Sequence, residues 1–513
     1  MIMKKGLIIM VPLLTILVTG CGERPPSAEK RAFTGVPGEV KLITLDPGHF
    51  HAALVQKSMY EQIDPVVRVY APEGEEVKDH LARIEAYNQR VADPTAWVEE
   101  VYAGDDYLER MLTEKPGNVV VLAGNNARKT EYILKAVEAG LNVLADKPMV
   151  ITPENFTVLE KAFSVASEKE VLLYDIMTER YEITTILQKE LSLDKAVFGE
   201  LQKGTPEEPA ITKESVHHFS KIVSGTPLKR PPWFFDTTQQ GEGIVDVTTH
   251  LVDLIQWEAF PELILKKEDV ELHAARRWST DMTPEMFSRV TGLSGFPEYL
   301  GKYVKDNLLK VYSNGELDYS LKGIRARVSV IWNFEAPEGT GDTHYSIMRG
   351  TRCNLVINQG REQNYKPVLY IEQTANCTPA EFEAAVTSAI SRFAGLYPGL
   401  SVSQEGEKVW RVEIPEEFKV GHEAHFAQVT GKYLQYLVDG KLPEWEVPNM
   451  LVKYYTTTEA LKLASRQNQT MGDSVTGEAF LRQTKARKEI SVPSQQNDGN
   501  GYAMGAAISA KYL

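Results

Sequence analysis

Residues 119–148 constrain the fold more than any other stretch of the chain. Val119-Val120-Val121-Leu122-Ala123 is a short apolar run of the length of a fully buried strand. Gly124-Asn125-Asn126 reads as a turn, and Ile133, Leu134, Ala136 and Val137 then recur at helical spacing. Gly140 stands where a helix would end in a left-handed residue. A second apolar run at 141–145 delivers Asp146-Lys147-Pro148 at its carboxyl end. Strand, helix and strand in this order make a parallel crossover, and open parallel sheets bind ligands beyond the carboxyl ends of their strands. Lys147 is thereby poised to meet a ligand. Thr152-Pro153 starts the next helix, a cap residue followed by proline at the first helical position.

A second motif lies further along, in Gly241-Glu242-Gly243-Ile244-Val245-Asp246-Val247-Thr248-Thr249-His250. Ile244, Val245, Val247, Leu251, Leu254 and Ile255 read as one buried helical face. Asp246 and His250, four residues apart, are expected to project from one side of that helix into a common site. A histidine beside a carboxylate can move a proton near neutral pH, although a satisfied core histidine would look the same. Asp253, three residues on, reads as a packing or orienting group.

Together the two motifs resemble the Gfo/Idh/MocA family of oxidoreductases. That family's Glu-Lys-Pro tripeptide stands here as Asp146-Lys147-Pro148, and its Gly-Gly-x-x-x-Asp-x-x-x-His pattern as Gly241-Glu242-Gly243 leading to Asp246 and His250. Phe198-Gly199-Glu200 and Pro448-Asn449-Met450-Leu451 match as well, so the likeness runs from about residue 40 to about 464. It implies a Rossmann-like nucleotide-binding domain at 39–175. A substrate and oligomerisation domain at 176–466 would follow, with a large, mostly antiparallel sheet and helices on one face. It also implies NAD or NADP held by Gly48, His49, His51, Gly124, Asn125 and the 146–148 tripeptide. Lys147, Asp246 and His250 would carry the chemistry, with Tyr181, His217, His218 and Trp233 facing a sugar. Homo-oligomers are common in the family.

The pattern of residues agrees with two domains. Strands are expected at 41–45, 66–70, 118–123, 141–145 and 171–174, alternating with helices as in a parallel sheet covered on both faces. A helix is expected around 181–193. Strict alternation at Ile324, Ala326, Val328, Val330, Trp332 and Phe334 is an amphipathic strand, with a turn at 337–341 and a returning strand at 343–349. Residues 280–320 read as an insertion with its own helix. Further helices near 422–438 and 449–465 precede a polar tail at 467–513.

The first loop departs from a dinucleotide fingerprint. Leu45-Asp46-Pro47-Gly48-His49-Phe50-His51 should carry glycine at 46, 48 and 51, yet only Gly48 is present. Either His49 or His51 compensates by donating to phosphate, or cofactor binding has been altered or lost. Glu73, the nearest carboxylate after the second strand, would hold the ribose and favour NAD over NADP. If a nicotinamide is bound, His250 is the expected base for a hydroxyl proton. Asp246 would orient it, and Lys147 would stabilise charge on the reacting oxygen.

No metal is expected. His49-x-His51, His217-His218 and His422-x-x-His425 lack the spacing of a zinc helix, with no evident acid or cysteine to complete a set. His422 and His425 read as an exposed helix turn. Cys353 and Cys377 leave open whether a disulfide forms.

The amino terminus speaks to compartment. Lys4-Lys5 precede an apolar run at 7–18 that ends in Val18-Thr19-Gly20-Cys21, a lipobox whose Cys21 would receive diacylglycerol. Residues 1–21 thus read as a lipoprotein signal peptide and 22–38 as a tether, placing the protein lipid-anchored in a bacterial cell envelope. A net charge of −14 without a basic cluster excludes nucleic acid as a partner. Three functions stay open: a sugar or polyol oxidoreductase, a redox-neutral glycoside-cleaving or epimerising enzyme, and a sugar-binding lipoprotein on a dehydrogenase fold.

Overall fold

The computed structural model describes residues 33–223, 226–375 and 377–471. The signal peptide, Cys21 and most of the tail lie outside the described residues. Of the expected tether, 33–38 is docked. Thr34 and Gly35 backbone N–H groups donate to the Glu39 carboxylate, and Gly38 donates to the Glu61 carbonyl.

Six strands make the first sheet: β1 (Leu42–Leu45), β2 (Val66–Ala71), β3 (Val98–Ala103), β4 (Val119–Leu122), β5 (Asn142–Asp146) and β6 (Leu173–Ile176). Their order is β3-β2-β1-β4-β5-β6, all neighbours parallel, the strand order of a dinucleotide-binding Rossmann sheet. The helices are α1 (His51–Leu54), α2 (Glu75–Gln89), α3 (Tyr107–Glu114), α4 (Asn126–Glu138) and α5 (Pro153–Glu168). β1, β4, β5 and β6 are buried throughout, as strands covered on both faces must be. Sequence reasoning missed β3, because Val98-Glu99-Glu100-Val101 is a largely exposed edge strand without apolar continuity. Thr152 caps α5 by accepting from the Asn155 N–H, and Gly140 has φ +80, both as expected.

The second domain begins with α6 (Ile183–Ser192), after a 3-10 turn at Thr178–Tyr181. Its strands are β7 (Ile211–Ser220), the small hairpin β8–β9 (Ile222–Val223 and Thr226–Pro227), β10 (Val270–Met282), β11 (Val304–Lys305), β12 (Leu308–Leu321), β13 (Ile324–Glu335), β14 (Thr343–Arg349), β15 (Cys353–Gln359), β16 (Val368–Gln373), β17 (Ser401–Gly406) and β18 (Val409–Glu413). All but β8 and β9 build one ten-stranded sheet, antiparallel except where β13 runs parallel to β7. The helices α7 (Thr237–Gln240), α8 (Thr248–Ala259), α9 (Pro284–Thr291), α10 (Pro379–Phe393), α11 (His422–Asp439) and α12 (Glu446–Met471) complete the chain.

Two expectations for this domain are corrected. β13 and β14 are not a hairpin: β7 lies between them, parallel to one and antiparallel to the other. The connection at 336–342 is long enough to step over one strand spacing of about 4.8 Å on either side. The supposed insertion at 280–320 shrinks to about 283–307, since β10 and β12 pair along their whole length within the sheet. The late helices return to the first domain. Phe426, Tyr433 and Leu434 of α11, with Met450 and Tyr454 of α12, are buried in the same core as Val120, Ala145 and Leu173. Cys353 and Cys377 are both free thiols.

Candidate active site

The carboxyl ends of β1, β4 and β5 open on a cavity of about 1220 Å³ between the two domains, lined by His49, His51, Asp146, Lys147, Asp246 and His250 among others. Lys147 follows β5 directly, and its Nζ donates to Asp246 Oδ1 across 2.8 Å. Gln240 Nε2 donates to the other carboxylate oxygen at 3.1 Å. Burial works against the charged lysine, but Asp246 and Asp146 outweigh it and hold the ammonium above its usual pKa.

Asp246 and His250 do not share a helix face. α8 begins only at Thr248, and Asp246 sits in the turn before it, facing Lys147. Gly243 explains that turn, because a Cβ there would lie 1.8 Å from the Ser313 carbonyl of β12. Asp246 therefore orients Lys147, not the imidazole. His250 Nδ1 is buried without a hydrogen-bond partner. Burial, then the charge of Lys147, pushes His250 down to about 3, so it is neutral at physiological pH. Asp253 is the buried support expected of it, bidentate to Arg180 at 2.7 Å on both arms.

The first loop folds around Asp146. His51 Nδ1 lies 2.9 Å from Asp146 Oδ2 and His49 Nδ1 3.9 Å from the same oxygen. Burial lowers the pKa of both imidazoles. Burial also opposes the Asp146 charge, but His51 and Lys129 keep its carboxyl well below the usual range. His49, His51 and Asp146 form a group whose ligand atoms all lie within 4.8 Å of one another. This corrects the reading that no acid completes the histidine pair: the acid is 95 residues away in sequence. Among the described residues no other such group of three forms, although acids stand near the other pairs. His218 Nδ1 meets Asp342 at 2.8 Å, and His422 lies 3.7 Å from Glu179. His425 is buried, not exposed, within α11.

A second, smaller cavity of about 350 Å³ sits where β1 and β2 end, lined by Asp46, Gly48, Glu76, Asn125, Arg128 and Trp233 among others. Gly124 permits the loops after β1 and β4 to touch, since a Cβ there would lie 2.1 Å from the Asp46 carbonyl. Asn125 caps α4 by accepting from the Ala127 N–H and donates to Gln239 of the second domain at 2.7 Å. The loop lacks the usual glycine frame: Asp46 takes the left-handed conformation at φ 50, and α1 is a single turn. Arg128, in the first turn of α4, lines the crevice and donates to Tyr107 Oη at 2.6 Å. Gly48, Asn125 and Arg128 line this crevice, and Lys147 lines the large cavity. Pro148 follows that lysine through a cis peptide. Glu73 is exposed outside either lining, and the α2 carboxylate that lines the smaller crevice is Glu76.

The expected sugar-facing residues divide. His217 lines the large cavity, its ring stacked 4.9 Å from Trp332. His218 is outside the lining, as alternate residues of β7 point to opposite faces. Trp233 belongs to the smaller crevice, against Gly48, while its neighbour Phe234 faces the large cavity. Tyr181 packs on the first-domain core outside both. Sequence reasoning missed Glu179, Arg230, Trp332, Asp342 and His422, all lining residues. His422 stood in a spaced histidine pair and Trp332 in an alternating strand, but neither pattern says which cavity a side chain faces, and the other three sit in no motif. Arg230 lies 4.5 Å from the Phe234 ring and 5.2 Å from that of Trp332. Burial lowers its pKa to about 10.

Residues 46–174 match the family model "Oxidoreductase family, NAD-binding Rossmann fold", and 187–465 match "Putative oxidoreductase C terminal domain". The chain belongs to the Gfo/Idh/MocA family. It is an NAD(P)-dependent oxidoreductase of that family. The chain is similar to a "putative oxidoreductase" from Parabacteroides merdae ATCC 43184, with 57% identity over 85% of this chain and 100% of that one and a TM-score of 0.84. Remoter members of the fold include a levoglucosan dehydrogenase (12% identity, 83% of this chain, 97% of that one, TM-score 0.52). Another is a 3-ketoreductase from Actinomadura kijaniata (14%, 83% and 97%, TM-score 0.51). No curated protein matches the chain.

Proposed function

We propose that this Gfo/Idh/MocA protein oxidises a hydroxyl of a sugar or polyol bound in the large cavity. The observation that carries the reading is the Lys147–Asp246 pair in the cavity lining, with neutral His250 beside it. When bound, the nicotinamide would accept hydride from the carbinol carbon. Lys147 would hold the substrate oxygen and stabilise its developing negative charge in a site shielded from water. His250 would accept the hydroxyl proton. As an imidazole pushed to about 3 it is a weak base, and the ammonium offsets this by acidifying the alcohol it holds. Asp246 and Gln240 would keep Lys147 aimed. Trp332 and Phe234 would offer apolar faces to a sugar ring, with Arg230, His217 and Asp342 for its hydroxyls.

The levoglucosan dehydrogenase was solved with NADH and levoglucosan, and the 3-ketoreductase with NADP, which supports a sugar as substrate class. Glu76 beside the crevice favours NAD, since a carboxylate repels a 2′-phosphate. The lipobox at Cys21 supports export and lipid anchoring in a bacterial envelope. Free nicotinamide is scarce there, so the cofactor would be held through turnover. Among the described residues no helix is long and apolar enough to cross a membrane. Retention of the cofactor also motivates a second reading, in which transient oxidation activates a neighbouring bond for glycoside cleavage or epimerisation.

Product analysis separates the two: net oxidation accumulates a keto sugar, and a redox-neutral cycle does not. His250→Ala should lower kcat by about 10²–10⁴ on any active sugar. Full turnover by that variant would remove His250 as the base.

A further inference from the structure

We propose that His49, His51 and Asp146 form a binding site for one divalent first-row transition metal ion at the floor of the large cavity. The three side chains come from the loop after β1 and from the end of β5, and their ligand atoms all lie within 4.8 Å. Two imidazoles and one carboxylate on one side of a centre, with the other positions open, are a donor set that such ions occupy. Cis ligands of a six-coordinate ion at bonds of about 2.1 Å stand about 3 Å apart. The His51–Asp146 separation of 2.9 Å already meets this, and an ion would replace the proton that the pair shares. His49, at 3.9 Å from the same oxygen, must close in by about 1 Å, and its Nδ1 gives up only a 3.3 Å contact from the His51 N–H.

The surroundings suit a cation. Asp146 is only 6% exposed at its side chain, and a buried carboxylate needs a partner or an ion. Two lysines stand nearby. Lys147 is neutralised by Asp246. Lys129 donates to the Asp146 backbone carbonyl at 3.0 Å, not to its carboxylate. The ring of His51 packs 4.7 Å from Phe426 and 5.4 Å from His422, which fixes its plane. All three ligands line the same cavity as Lys147 and His250. An ion there would present its open positions to a substrate oxygen and polarise it as a Lewis acid, beside the ammonium that the proposed oxidation already uses.

The test measures metal without substrate, so it stands apart from the oxidation. The full chain, made without a histidine tag, is stripped with chelator and titrated with zinc chloride and with cobalt chloride. Calorimetry, elemental mass spectrometry and the cobalt visible spectrum are read together. One ion per chain is expected. His49→Ala and His51→Ala should each weaken binding at least about tenfold and alter the cobalt band, while His273→Ala, on β10, leaves both unchanged. Binding below about one ion in ten chains, or equal binding by wild type and both variants, would overturn the proposal and leave a hydrogen-bonded pair only. If His51→Ala fails to fold, His49→Ala, whose side chain is 18% exposed, decides by the same criteria.

Discussion

Lys147 and Asp246 are joined across the cleft at 2.8 Å, one at the end of a Rossmann strand and the other in the turn that begins α8. The pair is therefore one of the ties between the two domains, and it keeps a charged ammonium in the cavity lining. Lys147→Met should leave Asp246 buried beside only Gln240. We expect kcat to fall by about 10²–10³ and KM to change less, because the ammonium matters most where charge develops. Steady-state kinetics on any sugar found to be active would check this, and a loss confined to KM would contradict it.

Arg180, Asp253, Glu446, Lys453 and Asp175 make a buried ion network at the junction of the domains. Lys453 Nζ lies 2.7 Å from Asp175 and 2.9 Å from Asp253, and Arg180 reaches Glu446 at 2.8 Å. Asp253→Ala would leave Arg180 with Glu446 and Lys453 with Asp175, each cation short of one partner, at a cost of about 2–4 kcal/mol. Chemical denaturation should show that loss, and a change under 1 kcal/mol would mean water reaches the network.

Three histidines, His80 and His250 buried and His344 half-buried, make the fold sensitive to acid. Burial first of all lowers His80 and His344 to about 4, and burial with Lys147 lowers His250 to about 3. Between those values and the unfolded value of about 6.5, the unfolded chain binds protons that the folded chain does not. Stability is therefore full above about pH 6.5 and is lost as pH falls towards 3, by up to ~1.4 kcal/mol per pH unit for each histidine. Melting temperatures across pH 4–8 should fall on the acid side, and His80→Phe should flatten that slope.

If the dinucleotide phosphates lie in the crevice where β1 and β2 end, Arg128 is the cation in its lining. Arg128→Ala should weaken dinucleotide binding by about 1.5–3 kcal/mol, the range for hydrogen bonds to charged groups. Mass spectrometry of nucleotides released from denatured protein would identify NAD or NADP in the wild type and show a reduced amount in the variant. Undiminished nucleotide would place the phosphates elsewhere.

Much of the fold was legible because its signals are local. The apolar runs at β1, β4 and β5, the cap at Thr152 and the left-handed Gly140 act within a few residues, and the structure repeats them. β3 was not legible, since an edge strand needs no apolar pattern. The β13–β14 hairpin was misread for the converse reason: turn residues and alternation are present, but they do not say which strand lies alongside.

At the site, the sequence alone determined the family, Lys147 after a buried strand, and a histidine at 250 near an acid at 246. Those features depend on spacing along one element. Only the tertiary structure decided that Asp246 meets Lys147 rather than His250, that Asp146 meets His51, and that Glu76 rather than Glu73 lines the smaller crevice. It also turned Trp233 to the smaller crevice and brought Trp332, Arg230 and Glu179 into the large cavity. Such meetings join residues tens to hundreds of positions apart, and they are set by how sheets and helices pack rather than by any period in the chain.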